Sequence, residues 1–313
     1  MTYAIDPELA PWLDMMPTIS LASAADVVTA RALLTERWSQ VPRYEPETEV
    51  EITDTVVPGS PDVPVRVYRP AGGGPRPGLL YIHGGGFIIG TIDMMDPLLT
   101  EVVDKLGVVV VSVDYRLAPE HPFPAPADDC YAALAWMANK ATELGVDADR
   151  IGIAGESAGG GLAAGVALMA RDRGGPALCF QYLGVPEIDD RLTTDSMTAY
   201  VDTPIWSRPK AELSWASYLG SVVPGSADVS PYAAPARAAD LSGLPPTVVT
   251  ACQFDPLRDE DIEYARRLLH AGVPTELRAY AGTFHGSASI AEAAVTKRMK
   301  ADLLDDLRRG LQV

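Results

Sequence analysis

From about residue 50 to the end of the chain, short wholly apolar runs alternate with segments of helical period, and no other feature limits the fold as much. A run that is apolar at every position must be buried on both faces, and parallel strands covered by crossover helices provide that burial. Residues 78–83 (GLLYIH) and 108–113 (VVVVSV) are such runs, and further strands are expected at 150–154, 177–183, 246–251 and 276–280. Helices are expected at 126–144, 158–173, 258–270 and 290–309, with Gly272 stopping the third. Residues 49–57 and 63–68 instead alternate apolar and polar positions across Pro58-Gly59, which predicts an antiparallel pair at the sheet edge. The chain is therefore expected to be α/β, with a mostly parallel central sheet flanked by helices. Its 313 residues, 47% of them apolar, suffice for one large core.

Two stretches break the rhythm. Residues 1–44 are expected to form an N-terminal cap segment, in which Val27, Leu34 and Trp38 mark one face of an amphipathic helix. Residues 187–244 are too long for an ordinary connection and are expected to be a cap insertion. The core then comprises residues 45–186 and 245–313, the whole forming one compact unit. Trp12, Trp38, Trp206 and Trp215 all fall in the two irregular stretches, which suggests a shared aromatic cap; the plainer alternative is that each ring only glues the cap to the core.

The net charge of −17 argues against a nucleic acid partner, since such affinity rests on Lys and Arg neutralising phosphates, and it disfavours an anionic membrane surface. A small molecule is the expected partner. Cys130, Cys179 and Cys252 have no metal-ligand spacing and read as reduced thiols. Neither a basic-then-apolar leader nor a membrane-length apolar run is visible, so a cytoplasmic location is expected.

Gly155-Glu156-Ser157-Ala158-Gly159 fits G-x-S-x-G between an expected buried strand and an expected small-residue helix, the context this motif requires. A sharp turn there would hold Ser157 exposed at a helix N-terminus as a nucleophile. His83-Gly84-Gly85-Gly86 closes an earlier strand, with little side-chain bulk to keep a ligand from its amides, so Gly85, Gly86 and Ala158 are expected to donate to an oxyanion. No Lys follows these glycines, which disfavours a phosphate loop.

A general base must come from four histidines. His270 falls in a helix's last turn, His121 in a proline-flanked turn, and His83 in the glycine loop. His285 lies in a loop between the last expected strand and the last helix, and is the expected base. Asp255 is the first carboxylate after the 246–251 strand and is favoured as the acid that orients it. Asp259, Glu260 and Asp261 compete, though a helix's first turn attracts acids for its dipole alone.

With Ser157, His83-Gly84-Gly85-Gly86, Tyr115-Arg116-Leu117-Ala118-Pro119-Glu120, Asp255-Pro256-Leu257-Arg258-Asp259 and Phe284-His285-Gly286 in that order, the chain resembles the bacterial hormone-sensitive-lipase family of esterases over nearly its whole length. Pro186-Glu187-Ile188-Asp189-Asp190-Arg191 further resembles heroin-type acetylesterases. Glu156 stands where Asp is more usual, and with His83 and Gly84 is expected to support the motifs. The resemblance implies an α/β-hydrolase fold, a cap, hydrolysis of short-acyl carboxylic esters through Ser157, His285 and Asp255, no cofactor or metal, and dimers through the sheet edge. It also implies structural roles for Arg116 and Glu120. An amidase or acyltransferase could use the same triad, and a non-catalytic receptor could share the fold.

Overall fold

The computed structural model describes residues 3–13 and 24–313. Part of the expected 1–44 cap segment, residues 1–2 and 14–23, thus lies outside the described residues.

Eight strands form one sheet: β1 (Val50–Val57), β2 (Val63–Pro70), β3 (Arg76–Ile82), β4 (Val109–Val113), β5 (Val146–Glu156), β6 (Phe180–Gly184), β7 (Thr247–Phe254) and β8 (Thr275–Phe284). Their order is β1-β2-β4-β3-β5-β6-β7-β8. The pairs β1/β2 and β2/β4 are antiparallel and all others parallel, as the alternating and the uninterrupted apolar patterns respectively predict.

Along β3 the side chains part with the two-residue period of a strand. Leu80 and Ile82 join one apolar cluster, Leu79 and Tyr81 another on the opposite face. The helices are α1 (Ala10–Leu13), α2 (Ala24–Ser39), α3 (Asp96–Leu106), α4 (Ala125–Asn139), α5 (Ala141–Leu144), α6 (Ala158–Arg173), α7 (Asp195–Ala199), α8 (Arg208–Leu219), α9 (Arg258–His270) and α10 (Ala294–Gly310). Buried residues of α4, α6 and α9 pack with the first cluster, and those of α3 and α10 with the second.

The chain runs from β3 to β4 on one side of it and crosses back to β5 on the other. In open α/β sheets such a reversal leaves a crevice outside the carboxyl ends of the strands, and ligands bind there. Ile82 pairs with Gly155, so residues 83–86 and 156–158 leave the sheet side by side.

Several expectations need correction. Residues 126–144 are not one helix: the chain breaks at Lys140, and α5 ends at Gly145, whose φ of +72° is left-handed. Helix α3 was not read from the sequence at all; Asp96-Pro97 opens it and Gly107 closes it. Strands β7 and β8 run further than the apolar runs show, to Phe254 and Phe284, because polar residues within them still hold the ladder through an irregular register at Cys252/Phe254. The stretch 187–244 contains α7 and α8, and its later residues Val229, Ala233, Ala234 and Leu241 join the main apolar cluster.

Nor do the tryptophans form one shared cap. Trp206 and Trp215 are buried in the main cluster, while Trp12 packs with Leu9, Phe254 and Phe284 in a separate one. The extended ends of β7 and β8 supply those two phenylalanines, which is what draws Trp12 away. On α2 the expected face holds: Val27 is buried and Leu34 and Trp38 half-buried, while Val28 and Leu33 are exposed.

Candidate active site

Ser157 occupies the turn between β5 and α6 with φ +56° and ψ −125°, a strained backbone for a residue with a Cβ. The turn is held open from both sides: the Ser157 amide donates to Gly184 O at 2.8 Å, and its carbonyl accepts from Gly161 and Glu187 at 3.0 Å each. Helix α6 can lie this close to β3 because of its small residues. A Cβ on Gly159 would stand 2.1 Å from the Ile82 carbonyl oxygen.

His285 directly follows β8 and Asp255 directly follows β7, adjacent strands whose ends pair at Phe254 and Phe284. Ser157 Oγ lies 2.9 Å from His285 Nε2, and His285 Nδ1 lies 2.7 Å from Asp255 Oδ2. The remaining Asp255 oxygen accepts from the Leu257 amide at 3.0 Å. Ser157 and His285 are 8% and 6% exposed and Asp255 is 0% exposed, so the carboxylate is shielded while the hydroxyl and imidazole can just be reached. The ring of Trp206 lies 5.9 Å from that of His285, centroid to centroid.

Two of the three competing acids are engaged elsewhere. Asp259 accepts from the Ser196 amide at 2.7 Å, and Glu260 accepts from the Ile188 and Asp189 amides at 2.9 and 3.1 Å. Asp261 is wholly buried, and desolvation, reinforced by Asp255 and Glu260, pushes its carboxyl well above the usual range.

The glycine loop after β3 lies beside the elbow. Gly85 has φ +123°, and a Cβ there would stand 2.1 Å from Ile89 O, so this turn admits glycine only. Its carbonyl takes up the Ile88 and Ile89 amides, and among the described residues the Gly85 and Gly86 amides donate no backbone bond. Ala158 is the first residue of α6, so its amide has no intrahelical acceptor. Gly84 lies against the elbow itself, with the Glu156 carbonyl 2.8 Å from where its Cβ would be.

His83 is wholly buried and its contacts lie within this loop and with Tyr115. Its Nδ1 lies 2.8 Å from Gly84 O, its ring stacks on Tyr115 at 4.3 Å, and the Tyr115 hydroxyl donates to His83 O at 3.0 Å. Complete burial pulls its pKa down to about 4, the Gly84 hydrogen bond opposing. The imidazole is therefore neutral and its Nδ1 is the donor. Glu156 is shifted upward by desolvation, with His285 opposing.

Arg116 and Glu120 are each held in an ion pair. Arg116 makes a two-pronged pair with Asp129, with contacts of 2.7 and 2.9 Å. Glu120 receives both prongs of Arg31 from α2 at 2.8 Å. Sequence reasoning missed Arg31 and Ser214; the latter donates to Gly86 O at 2.8 Å. Nothing in their local pattern distinguishes them from surface or core residues.

A cavity of about 430 Å³ at Asp189, Arg191, Tyr264 and Arg267 lies apart from this constellation and includes none of Ser157, His285 or Asp255. Among the described residues no cluster of three His, Cys, Asp or Glu side chains could hold a metal ion, and no helix is long and apolar enough to cross a membrane. All three cysteines are free thiols.

A family model described as the α/β-hydrolase fold matches residues 79–289. The carboxylesterase NlhH of Mycobacterium tuberculosis is 41% identical over 294 residues, covering 92% of this chain and 90% of its own. Among solved structures, a bacterial heroin esterase superposes with a TM-score of 0.94 at 50% identity, covering 99% of both chains. Esterase LipW of Mycobacterium marinum does so with a TM-score of 0.89 at 37% identity, covering 99% of this chain and 97% of that one.

Proposed function

Because this chain belongs to the hormone-sensitive-lipase family of α/β-hydrolases and is a carboxylic ester hydrolase, we propose that it works through Ser157 as nucleophile, His285 as general base and Asp255 as the group that orients and stabilises the imidazolium. The observation that carries this reading is the continuous hydrogen-bonded line from Ser157 Oγ through both ring nitrogens of His285 to a wholly buried carboxylate.

The Ser157 oxygen bonds to the ester carbonyl carbon while His285 Nε2 takes its proton, and the carbonyl oxygen becomes an oxyanion facing the amides of Gly85, Gly86 and Ala158. Collapse breaks the bond to the alkoxy group, which leaves as alcohol with the proton from His285. Water then attacks the acyl-enzyme with the same base, and the acid departs from a regenerated serine. The same imidazole thus serves as base and then as acid in each half.

Residues 1–44 and 187–244 are read as the cap over a core of 45–186 and 245–313. The substrate is read as a small ester with a short acyl group. The nearly closed approach to Ser157 and His285 supports this, and so does Trp206, where a Cβ on Gly86 would stand 2.5 Å from the indole. A long-chain ester would need a broad apolar mouth.

Hydrolysis of p-nitrophenyl esters from acetate to palmitate by the wild type and Ser157→Ala tests both parts. Activity that peaks at short chains and disappears in the variant is expected. Persistent turnover in the variant would refute the nucleophile, and a preference for palmitate would refute the short-acyl pocket.

A further inference from the structure

Glu187 follows Pro186 on the chain leaving β6, and nothing in the mechanism above uses its side chain. Its amide donates to the Ser157 carbonyl at 3.0 Å, so its backbone is fastened to the nucleophile turn. The side chain is 0% exposed, and neither carboxyl oxygen makes a hydrogen bond of normal length and angle, though the Ser214 hydroxyl lies near enough to act on it. Such orphaned oxygens are rare in folded proteins, and burial there strongly disfavours the ionised carboxyl.

The carboxyl faces the hydroxyl of Ser214 on α8, and that hydroxyl donates to the Gly86 carbonyl at 2.8 Å. The other titratable groups facing it are Asp255 after β7, Glu260 of α9, Tyr115 after β4 and Tyr218 of α8. None is a cation. Desolvation first, with the charge of Asp255 adding and Ser214 opposing, pushes the Glu187 pKa up to about 8.

We propose that Glu187 acts as a neutral carboxylic acid whose hydroxyl keeps Ser214 on the Gly86 carbonyl, and so holds in place the loop carrying the Gly85 and Gly86 amides. The proposal rests on the reading of those amides as oxyanion donors, and it makes Glu187 a positioning residue. A protonated acid has one hydrogen to give, and a Ser hydroxyl can accept it while its own hydrogen stays on Gly86 O. A carboxylate can only accept. Once ionised, Glu187 competes for the Ser214 hydrogen, frees the Gly86 carbonyl, and places a negative charge beside a site that must gather another.

The test is the dependence of kcat and KM on pH, from about pH 6 to about pH 10 to span the titration, for the wild type, Glu187→Gln, Glu187→Ala and Ser214→Ala. In the wild type kcat is expected to decline on the alkaline side with a midpoint near the raised value of about 8. Glu187→Gln, whose amide still donates and cannot ionise, should restore most of the activity and lack that decline. Glu187→Ala and Ser214→Ala should lose kcat by about 10- to 100-fold through misplacement of the loop, with KM little changed.

An alkaline limb that persists in Glu187→Gln, or a kcat in Ser214→Ala equal to that of the wild type, would overturn the proposal. If Glu187→Ala does not fold, the comparison of wild type with Glu187→Gln decides the matter alone. Failure of the underlying reading shows separately, as turnover by Ser157→Ala or as full activity in Gly85→Ala.

Discussion

The Nε of Arg31 donates to the Ile88 carbonyl at 2.7 Å, and through this bond helix α2 reaches the turn that ends the glycine loop. The same guanidinium gives Nη2 to Ala118 O at 2.7 Å and pairs with both oxygens of Glu120. A planar fork can serve two carbonyls and a carboxylate together; an ammonium cannot. Arg31→Lys and Arg31→Ala are both expected to lower kcat by about tenfold or more, since small displacements of positioning groups are costly. Steady-state kinetics beside circular dichroism check this, and an unaltered kcat in Arg31→Ala would show that the loop holds itself.

Asp255→Asn keeps the shape of the site but leaves His285 Nδ1 facing an amide in place of a carboxylate. A loss in kcat of about 10⁴-fold is expected by analogy with other triads. Asp259→Asn, which keeps an oxygen to accept from the Ser196 amide but loses the charge paired with Arg258, should leave kcat within about tenfold of the wild type, as an acid outside the triad would. Comparable losses in the two variants would return the assignment to the competing acids.

Gly85→Ala puts a Cβ against Ile89 O in a backbone with φ +123°. The turn must rearrange, and the amides of Gly85 and Gly86 go with it. We expect kcat to fall by about 10²- to 10³-fold, the loss typical of one oxyanion donor, with Ser157 still labelled by a fluorophosphonate. Loss of labelling together with loss of fold would instead assign the glycine a purely structural part.

His83 carries a pH-dependent share of stability. Its folded pKa of about 4 lies below the ordinary 6.5, so in acid the unfolded chain takes up a proton that the folded one refuses. The stabilisation is present above pH 6.5 and is lost as pH falls toward 4, a change on the order of 2–3 kcal/mol. Urea unfolding at both ends of that window should show a smaller loss for His83→Gln than for the wild type. Equal losses would mean that other groups govern the acid limb.

The succession of strands along the chain and the residues at their carboxyl ends were legible because each rests on a local pattern. Uninterrupted apolar runs announce β3 and β4, and the small residues of 158–173 announce a helix pressed on the sheet. Ser157, Asp255 and His285 each sit at such a junction, so their positions followed from chain order alone. Helix α3 and the true ends of β7 and β8 escaped, since polar residues such as Gln253 and Thr283 there are held by the ladder and by neighbouring loops, not by their own propensity.

What the sequence by itself determined is thus the frame: which segments are buried on both faces, where the elbow falls, and which residue types stand at each strand end. Tertiary structure alone decided the 2.9 and 2.7 Å contacts along the triad, the clasp of Arg31, and the burial of Glu187 beside Ser214. Periodicity and turn chemistry act between near neighbours in the chain. Contacts between residues 30, 57 or 128 positions apart arise only once the sheet order has brought those segments together.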